Sequence, residues 1–228
     1  MIQILAVADI LHQEVVLEDN FESKFEDWEL IEDEDEHAFI KDSHYWMENK
    51  SSNRWMFYHK KLPIPMKENF IIRAKIQVIQ NNKGYGQYGL VWGFNKEHNL
   101  LNKFVVHSDC ERFTIANFQK NHEFTTHRAV GKFEKDNFSE NEQFFSIVKL
   151  EKYYYFFLNH YDRPIYMVHS AQLALEGDRF GFYVEPGIMI RCDKIEVKRL
   201  ISDNNFKGNP WMPLSEDEMP FGSEILRG

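Results

Sequence analysis

Apolar and polar residues alternate with a period of two along most of this chain, most clearly between Lys67 and Asn95. Phe70, Ile72, Ala74, Ile76 and Val78 alternate with Arg73, Lys75 and Gln77, the pattern of a strand with one buried and one wet face. Asn81, Asn82, Lys83 and Gly84 follow with turn chemistry, because Asn and Gly tolerate the positive φ of a tight reversal. The alternation then resumes, with Tyr88, Leu90, Trp92 and Phe94 on one face and Tyr85, Gln87, Gly89, Val91 and Gly93 on the other. This stretch predicts two strands forming a hairpin.

The same pattern recurs elsewhere. Residues 14–21 read as a first strand and 28–31 as a short extended piece; 37–49 and 54–59 read as a strand pair joined by a turn at Lys50–Asn53. Pro63 and Pro65 cannot donate to a central ladder and mark an edge or a crossover. Between Leu101 and Asp109, Phe104 and Val106 oppose Lys103, Val105, His107 and Asp109; in the next strand Phe113 and Ile115 oppose Arg112, Thr114 and Ala116. Residues 122–141 form a polar excursion with room for one strand, and 143–150 and 153–158 predict a hairpin around Glu151 and Lys152. Residues 165–168, 179–184 and 188–200 complete the set, with a reversal at Pro186 and Gly187. Tyr153, Tyr155 and Phe157 alternate with Tyr154, Phe156 and Leu158, so both faces of that strand are expected to be buried.

About a dozen short strands without βαβ alternation predict an all-β antiparallel sandwich, a jelly roll. Its expected bounds are 14–201. Residues 1–13 form an N-terminal extension, either a short helix or an added strand, and 202–228 an extended C-terminal tail rich in proline and acid.

Composition narrows the function classes. A chain of 228 residues suits one large β domain, and 20 Phe and 10 Tyr suit a pleated core. The formal net charge of -9 argues against nucleic acid as a partner. No segment approaches the roughly 20 apolar residues that cross a bilayer, and Ile4–Leu11 has neither a basic flank nor a clear cleavage site. The expectation is a soluble, cytoplasmic protein with no membrane partner. Cys110 and Cys192 show no CxxC spacing and read as reduced thiols, with a single bridge as the alternative. Glu32–Glu36 reads as a solvated acidic loop or a calcium loop, though it lacks the spaced Asp, Asn and Gly pattern of the latter. Ten histidines occur without HExxH, so no metal and no cofactor are expected.

RWMFYHKKLPI (54–64) and YGLVWGF (88–94) resemble strands of the concanavalin-A-like, laminin-G-like jelly-roll superfamily, especially bacterial modules with a YGLxWG-type strand. FSIVKLEKYYYFFLN (145–159), RFGFYV (179–184) and KIEVKRL (194–200) extend the resemblance over roughly residues 16–200. These motifs imply a fold. The superfamily includes lectins, glycan-binding modules, protein-interaction modules and glycoside hydrolases, so activity must be argued from a site. A retaining glycosidase needs two carboxylates about 5 Å apart. Laminarinase-type relatives carry them on one strand as Glu, apolar, Asp and then Glu, and no stretch here has that pattern; GxSxG is missing too.

Strand parity puts Tyr85, Gln87, Lys103, His107, Asp109, Arg112 and Thr114 on a face opposite the core, with Gly89 and Gly93 leaving space. That face reads either as a shallow glycan groove or as an ordinary solvated exterior. Trp211, Met212 and Phe221 in the tail read as anchors for a partner or for the domain itself. Together these features predict a non-catalytic binding or scaffold module for a protein or glycan. The alternative is a glycan-active hydrolase or a carbohydrate-binding accessory domain.

Overall fold

In a computed structural model, the described residues are 12–22, 28–95, 97, 100–108, 112–119, 128–132, 142–159, 163–173 and 177–201, with the pairing of 224–225. The alternating segments become strands. In chain order they are β1 (His12–Asp19), β2 (Ile31–Glu32), β3 (Glu36–Lys41), β4 (His44–Asn49), β5 (Met56–Lys61), β6 (Phe70–Asn81), β7 (Gln87–Asn95) and β8 (Leu100–His107). There follow β9 (Arg112–Gln119), β10 (Arg128–Lys132), β11 (Glu142–Leu150), β12 (Tyr153–Leu158), β13 (Tyr166–His169), β14 (Arg179–Val184), β15 (Ile188–Ile201) and β16 (Glu224–Ile225). Helix among the described residues is limited to a 3-10 turn at Ser170–Gln172.

Two antiparallel sheets stack face to face, as expected of a jelly roll. The first is nine-stranded, in the order β13-β12-β11-β6-β15-β4-β3-β2, with β1 added to the far half of the long β15. The second is seven-stranded, in the order β16-β10-β9-β8-β7-β14-β5. Phe70, Ile72, Ala74 and Ile76 of β6 face inward, as do Tyr88, Leu90 and Trp92 of β7, Phe104 and Val106 of β8, and Phe113 and Ile115 of β9. Aromatic edges lock the layers together: Trp92 lies 5.9 Å from Tyr154 and 5.5 Å from Phe156, and Phe104 lies 5.2 Å from Phe145. Such tilted and edge-on pairs add to the burial of the rings themselves.

The expected hairpin of β6 and β7 is a crossing between the sheets. β6 pairs with β11 and β15, whereas β7 pairs with β8 and β14. A period of two looks the same in strands that pair side by side and in strands that face each other. The connection is tied down by Asn82 N–H donating to the Gly187 carbonyl at 2.9 Å and by Ser108 N–H donating to that of Gly86 at 2.8 Å.

The pair expected from 37–49 and 54–59 also differs. β3 and β4 pair with each other, through a turn in which Asp42 and Ser43 both take left-handed φ (53° and 59°), the geometry of a two-residue hairpin without the usual Asn-Gly. β5 instead joins β14 in the other sheet. Fully buried Asn49 holds the crossing, its amide donating to the carbonyls of Arg54 (2.7 Å) and Val184 (3.0 Å), its oxygen accepting from Ser51.

Phe94 departs from the parity expected for it. Gly93 has a φ of 64°, the β7–β8 register slips beyond Trp92, and Phe94 packs on the outer face with Val91, Leu101, Val105 and Tyr183. The two-sided burial expected for β12 is present: Tyr155 and Phe157 join Ile71, Val148, Leu150 and Leu200 in a cluster on the outer side of the first sheet. Pairing reaches two residues into the expected N-terminal extension, and β16 of the tail pairs with β10. Cys192 is a fully buried free thiol, pushed up by desolvation, while Cys110 lies outside the described residues.

Replacing Trp92 with Ala should lower unfolding free energy by about 3–5 kcal/mol, read from denaturant melts. A loss below about 1 kcal/mol would contradict its place between the sheets.

Candidate functional site

The outer face of the second sheet carries the predicted residues, and cross-strand register orders it into rows. Phe57, Tyr183, Gly89, Val105, Thr114 and Val130 run across β5, β14, β7, β8, β9 and β10 in one row. The next row is His59, Gly181, Val91, Lys103, Ala116 and Arg128. Val91, Leu101, Val105, Thr114 and Ala116 are buried despite their outward parity, so the middle of the face is neither open groove nor solvated exterior. The Asn117 amide, on the inward parity of β9 with Phe113 and Ile115, ties that strand to the connection into β14 by donating to the Gln172 carbonyl at 3.3 Å.

Four of the seven predicted face residues are brought together. Lys103 Nζ donates to Gln87 Oε1 at 3.0 Å, which leaves the Gln87 amide to donate to His107 Nε2 at 3.2 Å; Thr114 Oγ1 lies 3.0 Å from the same nitrogen. His107 Nε2 is thus the acceptor of this chain of bonds, an assignment made from the partners around it. Tyr85 stands in the connection before β7, 60% exposed, outside that chain. Arg112 is exposed at the start of β9, opposite Lys132. Asp109 and the tail residues Trp211, Met212 and Phe221 lie outside the described residues.

An aromatic cluster beside this network escaped the sequence reading. Trp55 stacks on Phe57 (5.6 Å, 25° between planes) and on Tyr183 (5.9 Å, 24°), and Phe57 meets Phe94 edge-on at 4.6 Å. Trp55 and Phe57 keep partly exposed surface. The signal was available. Trp55, Phe57 and His59 alternate with Met56, Tyr58 and Lys60, and of the two sets Met56 and Tyr58 belong to the core.

The two groups join at Tyr183. Lys103 Nζ sits 4.5 Å from its ring centroid and 3.5 Å from its hydroxyl, and that hydroxyl donates to Glu185 Oε1 at 3.2 Å. The other Glu185 oxygen accepts from the Gln87 backbone N–H at 2.8 Å. Burial pushes the Lys103 ammonium down to about 8; Arg128 pushes the same way and Glu185 opposes both. Burial, reinforced by Glu185, raises the Tyr183 phenol well above its ordinary value.

β5, β7, β8, β9, β10 and β14 carry no Asp or Glu. The carboxylates found near the face belong to its connections: Glu185, Asp178 within 3.9 Å of Lys61, and Glu29 within 3.8 Å of His59. Among the described residues no group of three or more His, Cys, Asp or Glu could hold a metal ion, and no helix is long and apolar enough to cross a membrane.

Lys103 gives stability a pH dependence of known sign. Between about pH 8 and 10 the unfolded chain keeps a proton that the folded one has lost, so stability rises with pH there. It falls again above about pH 10, where buried tyrosines such as Tyr45 and Tyr183 hold protons only when folded. Denaturant melts should show a gain of about 1–2 kcal/mol from pH 7 to about pH 9.5, clearly reduced in Lys103→Met. An equal gain in the variant would contradict the assignment.

No protein family and no curated protein matches this chain. Its fold matches solved structures. The catalytic domain of an endo-1,3-beta-glucanase (laminarinase) from Thermotoga petrophila RKU-1 aligns with a TM-score of 0.58 at 11% identity, over 86% of this chain and 100% of that one. The CBM2 module of the evolved Dit of Lactobacillus casei BL23 phage J-1 aligns at 0.58 and 10% identity, over 85% and 98%. A Bacillus subtilis protein of unknown function with a galectin-like fold aligns at 0.58 and 10% identity, over 85% and 100%. The chain has the concanavalin-A-like jelly-roll fold.

Proposed function

We propose that this chain is a non-catalytic glycan-binding module whose site is the outer face of its second sheet, centred on Trp55, Phe57 and Tyr183. The observation that carries this reading is the stacked aromatic cluster beside a linked set of donors and acceptors. Sugar rings present apolar faces edged by hydroxyls; a partly exposed indole covers such a face, while Lys103, Gln87 and His107 offer polar groups to hydroxyls. Two of the fold neighbours carry names that point the same way, a laminarinase and a CBM2 module.

A second reading, a glycan hydrolase, is favoured by the named glucanases among those neighbours. Its acids would have to come from the connections or from Glu224 of β16, because the six strands β5, β7, β8, β9, β10 and β14 supply none. Glu185 is already engaged by the Tyr183 hydroxyl and the Gln87 N–H.

Binding of a panel of soluble polysaccharides, followed by calorimetry or affinity electrophoresis, tests the proposal. Trp55→Ala should weaken the bound member about tenfold or more while lowering the melting temperature by only a few degrees, far less than Trp92→Ala. Incubation with laminarin should release no reducing ends. Robust turnover abolished by replacing one carboxylate would install the hydrolase reading instead.

A further inference from the structure

One row on the outer face of the second sheet stays accessible along its whole length, and it lies at the rim. Register places Trp55 (just before β5), Glu185 (just after β14), Gln87, His107, Arg112 and Lys132 side by side, each half-buried or exposed. The rows beyond are closed. Tyr183, Val105 and Thr114 in the first of them and Val91 and Ala116 in the second are at most 3% exposed, so the middle of the face is shut to a ligand. Tyr183 backs the Trp55 ring, and the rings left for a ligand are those at the rim.

Tyr85 stands beside that row and is 60% exposed. Its backbone is held. The Gly86 carbonyl accepts from the Ser108 N–H at 2.8 Å and from the Ser108 hydroxyl at 3.1 Å, and Lys83 Nζ donates to the Ser52 carbonyl at 2.8 Å. Gly86 has a φ of 141°, and a Cβ there would come within 2.7 Å of Ile188 Cδ1. The connection is thus pressed against the core while the phenol ring next to it stands in water. An exposed tyrosine on an ordered backbone gives up little freedom when a ligand covers it, which makes it a good contact surface.

We propose that the ligand is an extended linear saccharide lying across the strands along this rim, with Tyr85 as a second stacking platform beside Trp55. This rests on the glycan-binding reading and adds the ligand's shape and one further contact. Neighbouring strands lie about 4.8 Å apart, so Trp55 and Tyr85, which lead into β5 and β7 on either side of β14, have backbones about 10 Å apart across the sheet. The whole row from β5 to β10 crosses about 24 Å. Its polar groups are already ordered, Glu185 by the Gln87 N–H and His107 by the Gln87 amide, and it ends on exposed Arg112 and Lys132 with nothing in the row to close it off. An open row of that length suits several consecutive sugar units better than a single sugar or a chain end.

The test uses the full chain with laminarin, mixed-linkage β-glucan, xylan and polygalacturonate, and with size-fractionated oligosaccharides of whichever binds. Affinity should climb at least about tenfold from the disaccharide to the longer fragments. Tyr85→Ala should weaken the longer fragments about tenfold at an unchanged melting temperature, and Tyr85→Phe, which keeps the ring, should retain most of the binding. Phe144→Ala, which removes an exposed ring from the first sheet, should change nothing. Full binding by Tyr85→Ala, or a disaccharide bound as tightly as the polymer, with Trp55→Ala still damaging, would overturn this inference while leaving the glycan-binding reading intact. Binding lost in Phe144→Ala and kept in Trp55→Ala, or no binding of any of the four polysaccharides, would overturn both.

Discussion

The constraint on which everything else depends is the meeting of two aromatic sheet faces. Trp92 and Phe104 from one layer interleave with Phe145, Tyr154 and Phe156 from the other, at centroid separations between 5.2 and 5.9 Å. That packing fixes which parity of every strand points inward. It therefore also fixes what points outward. A one-residue slip in β8 would move Lys103 into the core and Phe104 to the outer face. The Gly93 bulge is the one place along β7 where the rule is broken, and its effect is local: it sends Phe94 outward to meet Phe57 and His59.

Parity was legible in the sequence because it depends only on the side chain's own polarity. Phe70, Ile72, Ala74, Ile76, Tyr88, Leu90, Trp92, Phe104, Val106, Phe113 and Ile115 all face the core as their alternation indicates. Pairing was not legible in the same way. β6 and β7 are adjacent in the chain and joined by turn residues, yet they belong to different sheets, and so do β4 and β5. A short connection can fold back alongside a strand or cross the core to the facing layer, and Asn, Gly and Lys suit both. What decides is tertiary: the Asn82 to Gly187 bond at one crossing and the buried Asn49 at the other.

The candidate site was half legible. Gln87, Lys103 and His107 were identified by parity alone, and they do form one hydrogen-bonded chain. Trp55, Phe57 and Tyr183 were missed, because an aromatic on the outer face of a strand looks like core when its neighbours are also aromatic. The burial of Val91, Leu101 and Val105 could not be read either, since a strand's alternation does not reveal what covers its second face. Both sheets share that feature. The first has its own outer cluster around Tyr155 and Phe157, but there the neighbouring charges are balanced across strands, whereas every charged residue that β5, β7, β8, β9, β10 and β14 turn outward is a cation.

The most direct measurement is hydrogen–deuterium exchange of the full chain with and without a saturating amount of the polysaccharide it binds. A ligand seated on the aromatic cluster and the neighbouring polar chain should slow exchange in β5, β7, β8, β14 and the Glu185 turn more than anywhere in the first sheet. Protection centred on β6 and β15 of the first sheet would contradict that placement, whatever the affinity.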